Sequence, residues 1–117
     1  MIVRIESENL FLITQPDHAA LSGRIMAAWL ADGLPAHASR DTVLLATRAH
    51  DNGWEEIDAR ATIDRTRGRP HDFITAPGPI KREIWPRGVA RLESVDPAAA
   101  ALVAQHAITV LERQPAT

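Results

Sequence analysis

The sequence predicts a mainly α fold, a four- to five-helix bundle with an N-terminal β-hairpin, in one domain over residues 1–117. Three observations predict it. Three stretches repeat apolar residues at the three- and four-residue spacing of a helix face, and a fourth helix is expected between them. Capping residues, prolines and glycines punctuate those stretches at their ends. Ahead of them, within residues 1–15, two short strand-like runs flank a polar pair.

The runs are IVRIES and LFLITQ, separated by Glu8-Asn9. Val3, Ile5, Leu12 and Thr14 suit strands, and asparagine tolerates the positive φ of a hairpin turn. A lone hairpin is marginal in water, so helices are expected to support it. The first helix is expected from about Asp17 to Ala31, with Thr14 or Asp17 as cap and Pro16 in the first turn. His18, Leu21, Ile25 and Ala28 or Trp29 share its apolar face, and Asp32-Gly33 and Pro35 end it. The second runs from about Arg40 to Asp51, capped by Ser39 or Asp41. Val43, Ala46, Thr47 and His50 line one side, and Asn52-Gly53 stops it in left-handed conformation. Residues 54–79 read as a long loop, a functional lid or an ordinary surface connection holding a short helical turn. The third helix spans about Ile80 to Glu93, kinked or divided at Pro86. The fourth opens with Asp96-Pro97 and reaches about Arg113, with Ala99, Leu102, Val103, His106 and Val110 on its apolar face. Its alanine-rich AAAALVA suits close helix packing.

Composition excludes several functions. The chain has no cysteine, which removes disulfides, thiolate metal sites and a cysteine nucleophile and fits a cytoplasmic protein. No apolar run approaches the roughly 20 residues of a membrane span, and MIVRIESENL is not a signal peptide. The 13 Lys and Arg are scattered among 15 Asp and Glu, for a net charge of −2, so no nucleic-acid partner is expected. Ser22 and Ser39 lack a G-x-S-x-G elbow, which argues against serine catalysis.

The histidines carry the strongest signal. His37 and His71 fall in loops, where exposed side chains are expected. His18, His50 and His106 each fall on the apolar face of a separate helix. Three buried imidazoles need partners, and one metal ion satisfies all three. Asp51 follows His50 at a helix C-terminus, where the helix dipole disfavours an anion, and a cation would resolve that conflict. The candidate ligands are therefore His18, His50, Asp51 and His106, a set that suits Zn, Fe, Mn or Ni. The alternative makes each histidine a hydrogen-bonded core residue. If a metal-activated water attacks a substrate, Asp51, Asp17 or Glu55 can steer it. Arg48 or Arg69 can hold an anionic group, with Asn52 and Trp54 beside Asp51 as further substrate-side candidates. The bland readings are a solvated Glu55-Glu56 pair and a Trp54 that anchors the loop to the core.

LITQPDH, HDNGW, RPHDF at 69–73, IWPRG at 84–88 and LVAQHA at 102–107 together resemble the domain of unknown function 3891 family, uncharacterised bacterial proteins. The resemblance spans nearly the whole chain and implies a mostly helical fold without an assigned activity. A weaker resemblance runs to the HD-domain superfamily, in which an early histidine, a His-Asp doublet and a later carboxylate bind divalent metal. His18 and His50-Asp51 match the first two features. The fourth helix has no central aspartate, so either His106 substitutes or the last ligand is missing. This resemblance implies an HD-like phosphohydrolase acting on a phosphate ester or similar small molecule, or an iron-dependent oxygenase. A non-catalytic helical module that binds a ligand or partner is the remaining expectation. A homodimer is expected to cover any apolar helix face left exposed.

Overall fold

The hairpin forms one step earlier than Glu8-Asn9 indicates. In the computed structural model, which describes residues 1–113, β1 (Ile2–Glu6) pairs antiparallel with β2 (Asn9–Ile13), with Glu6 opposite Asn9. The turn residues are thus Ser7-Glu8, and Ser7 takes the positive φ, 52°. The expected helical support reaches only the open end. Asp58 accepts from the Met1 ammonium at 2.7 Å and from the Gln15 amide at 2.6 Å, so one carboxylate clamps the residues just before β1 and just after β2. Beyond that clamp Ile5, Leu10, Phe11, Leu12 and Ile13 are exposed.

Helix α1 (Gln15–Ala28) starts at Thr14, whose side chain accepts from the Asp17 amide, with Pro16 in the first turn. It ends three residues short of the expected Ala31. Its packed face is also not the one expected: Leu21, Ile25 and Trp29 are exposed, while Gln15, Ala19 and Gly23 are buried. The reason is the distance to helix α2 (Arg40–Ala49). A Cβ on Gly23 would lie 2.5 Å from the Arg48 Cβ, so only a stripe of small residues fits there.

After α2 the chain makes a 3-10 turn at Asn52–Trp54. The left-handed stop expected of Asn52-Gly53 does not occur, since the glycines with positive φ are Gly33 and Gly68. Gly53 serves packing instead: a Cβ there would fall 1.7 Å from the Ile84 carbonyl oxygen. The 54–79 stretch is not structureless. It holds the short helix α3 (Glu55–Asp58) and a small antiparallel pair, β3 (Ile63–Asp64) with β4 (Arg69–Pro70). Helix α4 (Gly78–Glu93) continues undivided through Pro86, where both Arg82, which loses a hydrogen-bond donor, and Pro86 itself are exposed.

Helix α5 (Pro97–Glu112) is capped by Asp96, which accepts from the Ala98 and Ala99 amides and from the Thr42 hydroxyl. That last bond ties the start of α5 to the start of α2. The core has two parts. One joins Ala46 and Ala49 of α2 to Leu92, Ala99, Ala100 and Val103, where alanines bring helices close. The other is bulkier, with Trp54, Ile84, Trp85, Ala76 and Ala107.

Candidate metal centre

His50 and Asp51 stand where α2 has ended and the 3-10 turn begins. That ending lets two neighbours serve one site, because a continuing helix would turn them about 100° apart. His18, on the first turn of α1, and His106, late on α5, approach from the sides. The His50 ring meets His18 edge-on at 5.6 Å between centroids and His106 edge-on at 4.8 Å. One ligand atom each from His18, His50 and Asp51 lies within 4.8 Å of the others. His106 stands beside His50, outside that group of three.

The hydrogen bonds fix the chemistry of His50. Its Nδ1 is 2.6 Å from the Thr47 carbonyl, which only accepts, so Nδ1 carries a hydrogen. Its Nε2 then faces Asp51 Oδ2 at 2.9 Å. In a neutral ring that nitrogen presents a lone pair to a carboxylate, which is repulsive. The contact is favourable only when a cation sits on Nε2, either a proton or a metal ion. The balance of forces agrees. Burial alone lowers the His50 pKa, but the Asp51 hydrogen bond and charge, with the Thr47 carbonyl, together hold it above the ordinary histidine value. His106 is lowered, first by burial and then by the neighbouring His50, so it is a neutral imidazole.

Asp51 is 5% exposed and incompletely partnered. Besides His50 it has the Gln15 Nε2 at a long 3.4 Å, and the Gln15 Oε1 is buried with no partner. A carboxylate beside two imidazoles forms a donor set that fits a divalent ion.

The other candidates lie elsewhere. The Asp17 carboxylate accepts from the Thr14 hydroxyl at 2.7 Å, completing the helix cap, and is exposed. Glu55 pairs with Arg91, and Glu56 with Arg87 and Arg91. Asn52 receives Arg91 on its carbonyl. Arg48 packs on Gly23, and Arg69 sits in β4 opposite Asp64. Trp54 is 2% exposed and meets Trp85 edge-on, so it anchors the core. His37 is exposed as expected, whereas His71 is half-buried near Thr75. Gln15, Thr47 and Asp58 were not singled out from sequence. Gln15 carried a faint signal, three residues before His18 on the same helix face.

His50 and His106 also line a groove between α2 and α5, about 390 Å³, together with Val43, Ala46, Thr47, Leu102 and Val103.

A family model described as protein of unknown function (DUF3891) matches residues 1–117. No curated protein and no solved structure matches the chain.

Proposed function

The chain belongs to the DUF3891 family, and from that premise we propose that it is a divalent-metal-binding protein and a metal-dependent hydrolase of a phosphate ester or similar small substrate. The single observation that carries the reading is the close group of His18, His50 and Asp51, one ligand atom of each within 4.8 Å of the others, around a buried carboxylate. His18 and His50, both half-buried, and the buried Asp51 would hold the ion. The chemistry such an ion supplies when bound is Lewis acidity, which polarises a substrate oxygen and acidifies water. The protein's own part is orientation. The Thr47 carbonyl fixes the His50 tautomer, as outer partners of metal-bound histidines do. His106 lines the groove beside His50, its pKa held below the ordinary histidine value by burial and by that neighbour.

Elemental analysis of wild type and His50→Ala/Asp51→Ala tests the reading. One Zn, Fe, Mn or Ni per wild-type chain and none in the variant is the expected result. Wild type free of metal after growth and refolding with each ion would overturn it. A coloured, EPR-active iron form would favour an oxygenase over a hydrolase.

A second copy of the chain as partner has its own support. Ile5, Leu10, Phe11, Leu12 and Ile13 of the hairpin and Leu21, Ile25 and Trp29 of α1 are 39–58% exposed. In the β1–β2 register Ile5, Leu10 and Leu12 share one face of the hairpin, and a partner laid on that face would cover them. Light scattering that gives a dimer in wild type and a monomer in Leu10→Lys/Leu12→Lys is the expected outcome; a wild-type monomer at high concentration would end this reading.

A further inference from the structure

The groove beside the candidate metal centre indicates what the substrate looks like. Helices α2 and α5 run parallel there. Thr42 meets Asp96 where both helices begin, and His50 meets His106 toward their ends. Among the residues that line the groove, the two imidazoles stand at one end, and Val43, Ala46, Leu102 and Val103 line its length; the Thr42–Asp96 pair lies outside the lining. The Thr47 hydroxyl already donates to the Val43 carbonyl at 2.7 Å. No lysine or arginine is among the lining residues. Arg48 lies on the opposite side of α2, against Gly23, in a cleft shared with α1. Arg40 donates to the Ala27 carbonyl, and Arg87 and Arg91 are engaged by Glu55 and Glu56. A polyphosphate would thus enter an apolar channel with no counter-charge beyond the ion itself, which is costly.

We propose that this groove binds the non-reacting part of the substrate, and that this part is a lipophilic acyl or aryl group whose single oxygen-bearing head lies at His50 and His106. The size agrees. Seven residues separate Val43 from His50, roughly 10 Å along a helix at about 1.5 Å each. At about 30 Å³ for a water-sized unit, the groove holds roughly a dozen non-hydrogen atoms, the size of a medium-chain acyl group. Leu102, 46% exposed, would be covered by such a ligand. The position of the head rests on the metal reading above; the apolar tail does not.

Calorimetry with butyrate, hexanoate, octanoate, inorganic phosphate and ADP tests this, using Zn-loaded wild type, EDTA-treated wild type and Leu102→Glu. Metal content is measured on each. The expected result is affinity rising roughly two- to fourfold per methylene, with phosphate and ADP weaker than octanoate. Leu102→Glu should lose the chain-length dependence while keeping its metal. A flat chain-length series, or ADP tighter than octanoate, overturns the proposal. If no metal binds but the series survives in EDTA-treated protein, the metal reading fails and the groove assignment stands.

Discussion

Asp51 and Asp58 are both buried aspartates, 5% and 8% exposed, and Gln15 touches both. Their surroundings differ in kind. Asp58 receives an ammonium at 2.7 Å and a backbone amide at 2.6 Å, donors that the fold supplies in full. Asp51 receives a long amide contact and an imidazole nitrogen that donates only when protonated and otherwise leaves its lone pair for a metal ion. The lesson is that burial alone does not mark a functional carboxylate. A buried carboxylate whose partners are complete holds the fold together, and one whose partners are incomplete leaves room for a ligand.

The largest expected effect is on the complete site. Asp58→Ala strands two buried donors and releases the open end of the hairpin, and should cost about 3–5 kcal/mol in urea unfolding. A loss below about 1 kcal/mol would erase the contrast.

Next is the turn that joins the two regions. Gly53→Ala drives a methyl into the Ile84 carbonyl. It should cost at least the ~1–3 kcal/mol of an overpacked core and weaken metal uptake, because Asp51 and Trp54 share that turn. Full stability with full uptake would show that α4 and the turn move apart freely.

The incomplete site should respond to pH in metal-free protein. The folded His50 pKa is raised, so its contribution is fully present below about 6.5, the unfolded value. It is lost as pH rises through the folded value. Unfolding titrations in EDTA should show this decline, and Asp51→Asn should flatten it. Metal should reverse the trend, since protons compete for the ligands and uptake falls in acid. Identical profiles in wild type and Asp51→Asn would remove Asp51 as the cause.

The smallest stability effect should be that of Asp51→Asn itself, within about 1 kcal/mol of wild type without metal. The His50 proton departs, and the asparagine amide donates to the freed Nε2. Metal uptake should nonetheless disappear. A loss as large as that of Asp58→Ala would make Asp51 a structural carboxylate like its neighbour.

Much of the fold follows from local chemistry. Thr14-x-x-Asp17 and Asp96-Pro97 cap helices where they stand in the chain, because a cap needs only amides two or three residues away. The convergence of His18 and His106 on His50 was legible from their helical positions, and the oddity of Asp51 from the helix dipole. Asp17, by contrast, looked equally fit for a site and for a cap, and only its bond to Thr14 separates the two.

Other features were decided by contacts between distant segments. Gly23 and Gly53 are glycine because Arg48 and Ile84 come too close for a side chain, and neither neighbour is visible in the local sequence. Leu21, Ile25 and Trp29 have the right spacing for a buried face, yet the tight α1–α2 approach admits only Gln15, Ala19 and Gly23. The roles of Asp58 and Gln15 depend on where the hairpin's open end meets α3, 43 residues away in sequence. Sequence by itself determined that the N-terminal hairpin and the four long helices form, and where they start to within about two residues, because those choices rest on neighbours within a turn. Tertiary structure alone decided which faces are buried and which carboxylate lacks partners, because both depend on how closely remote backbones can approach.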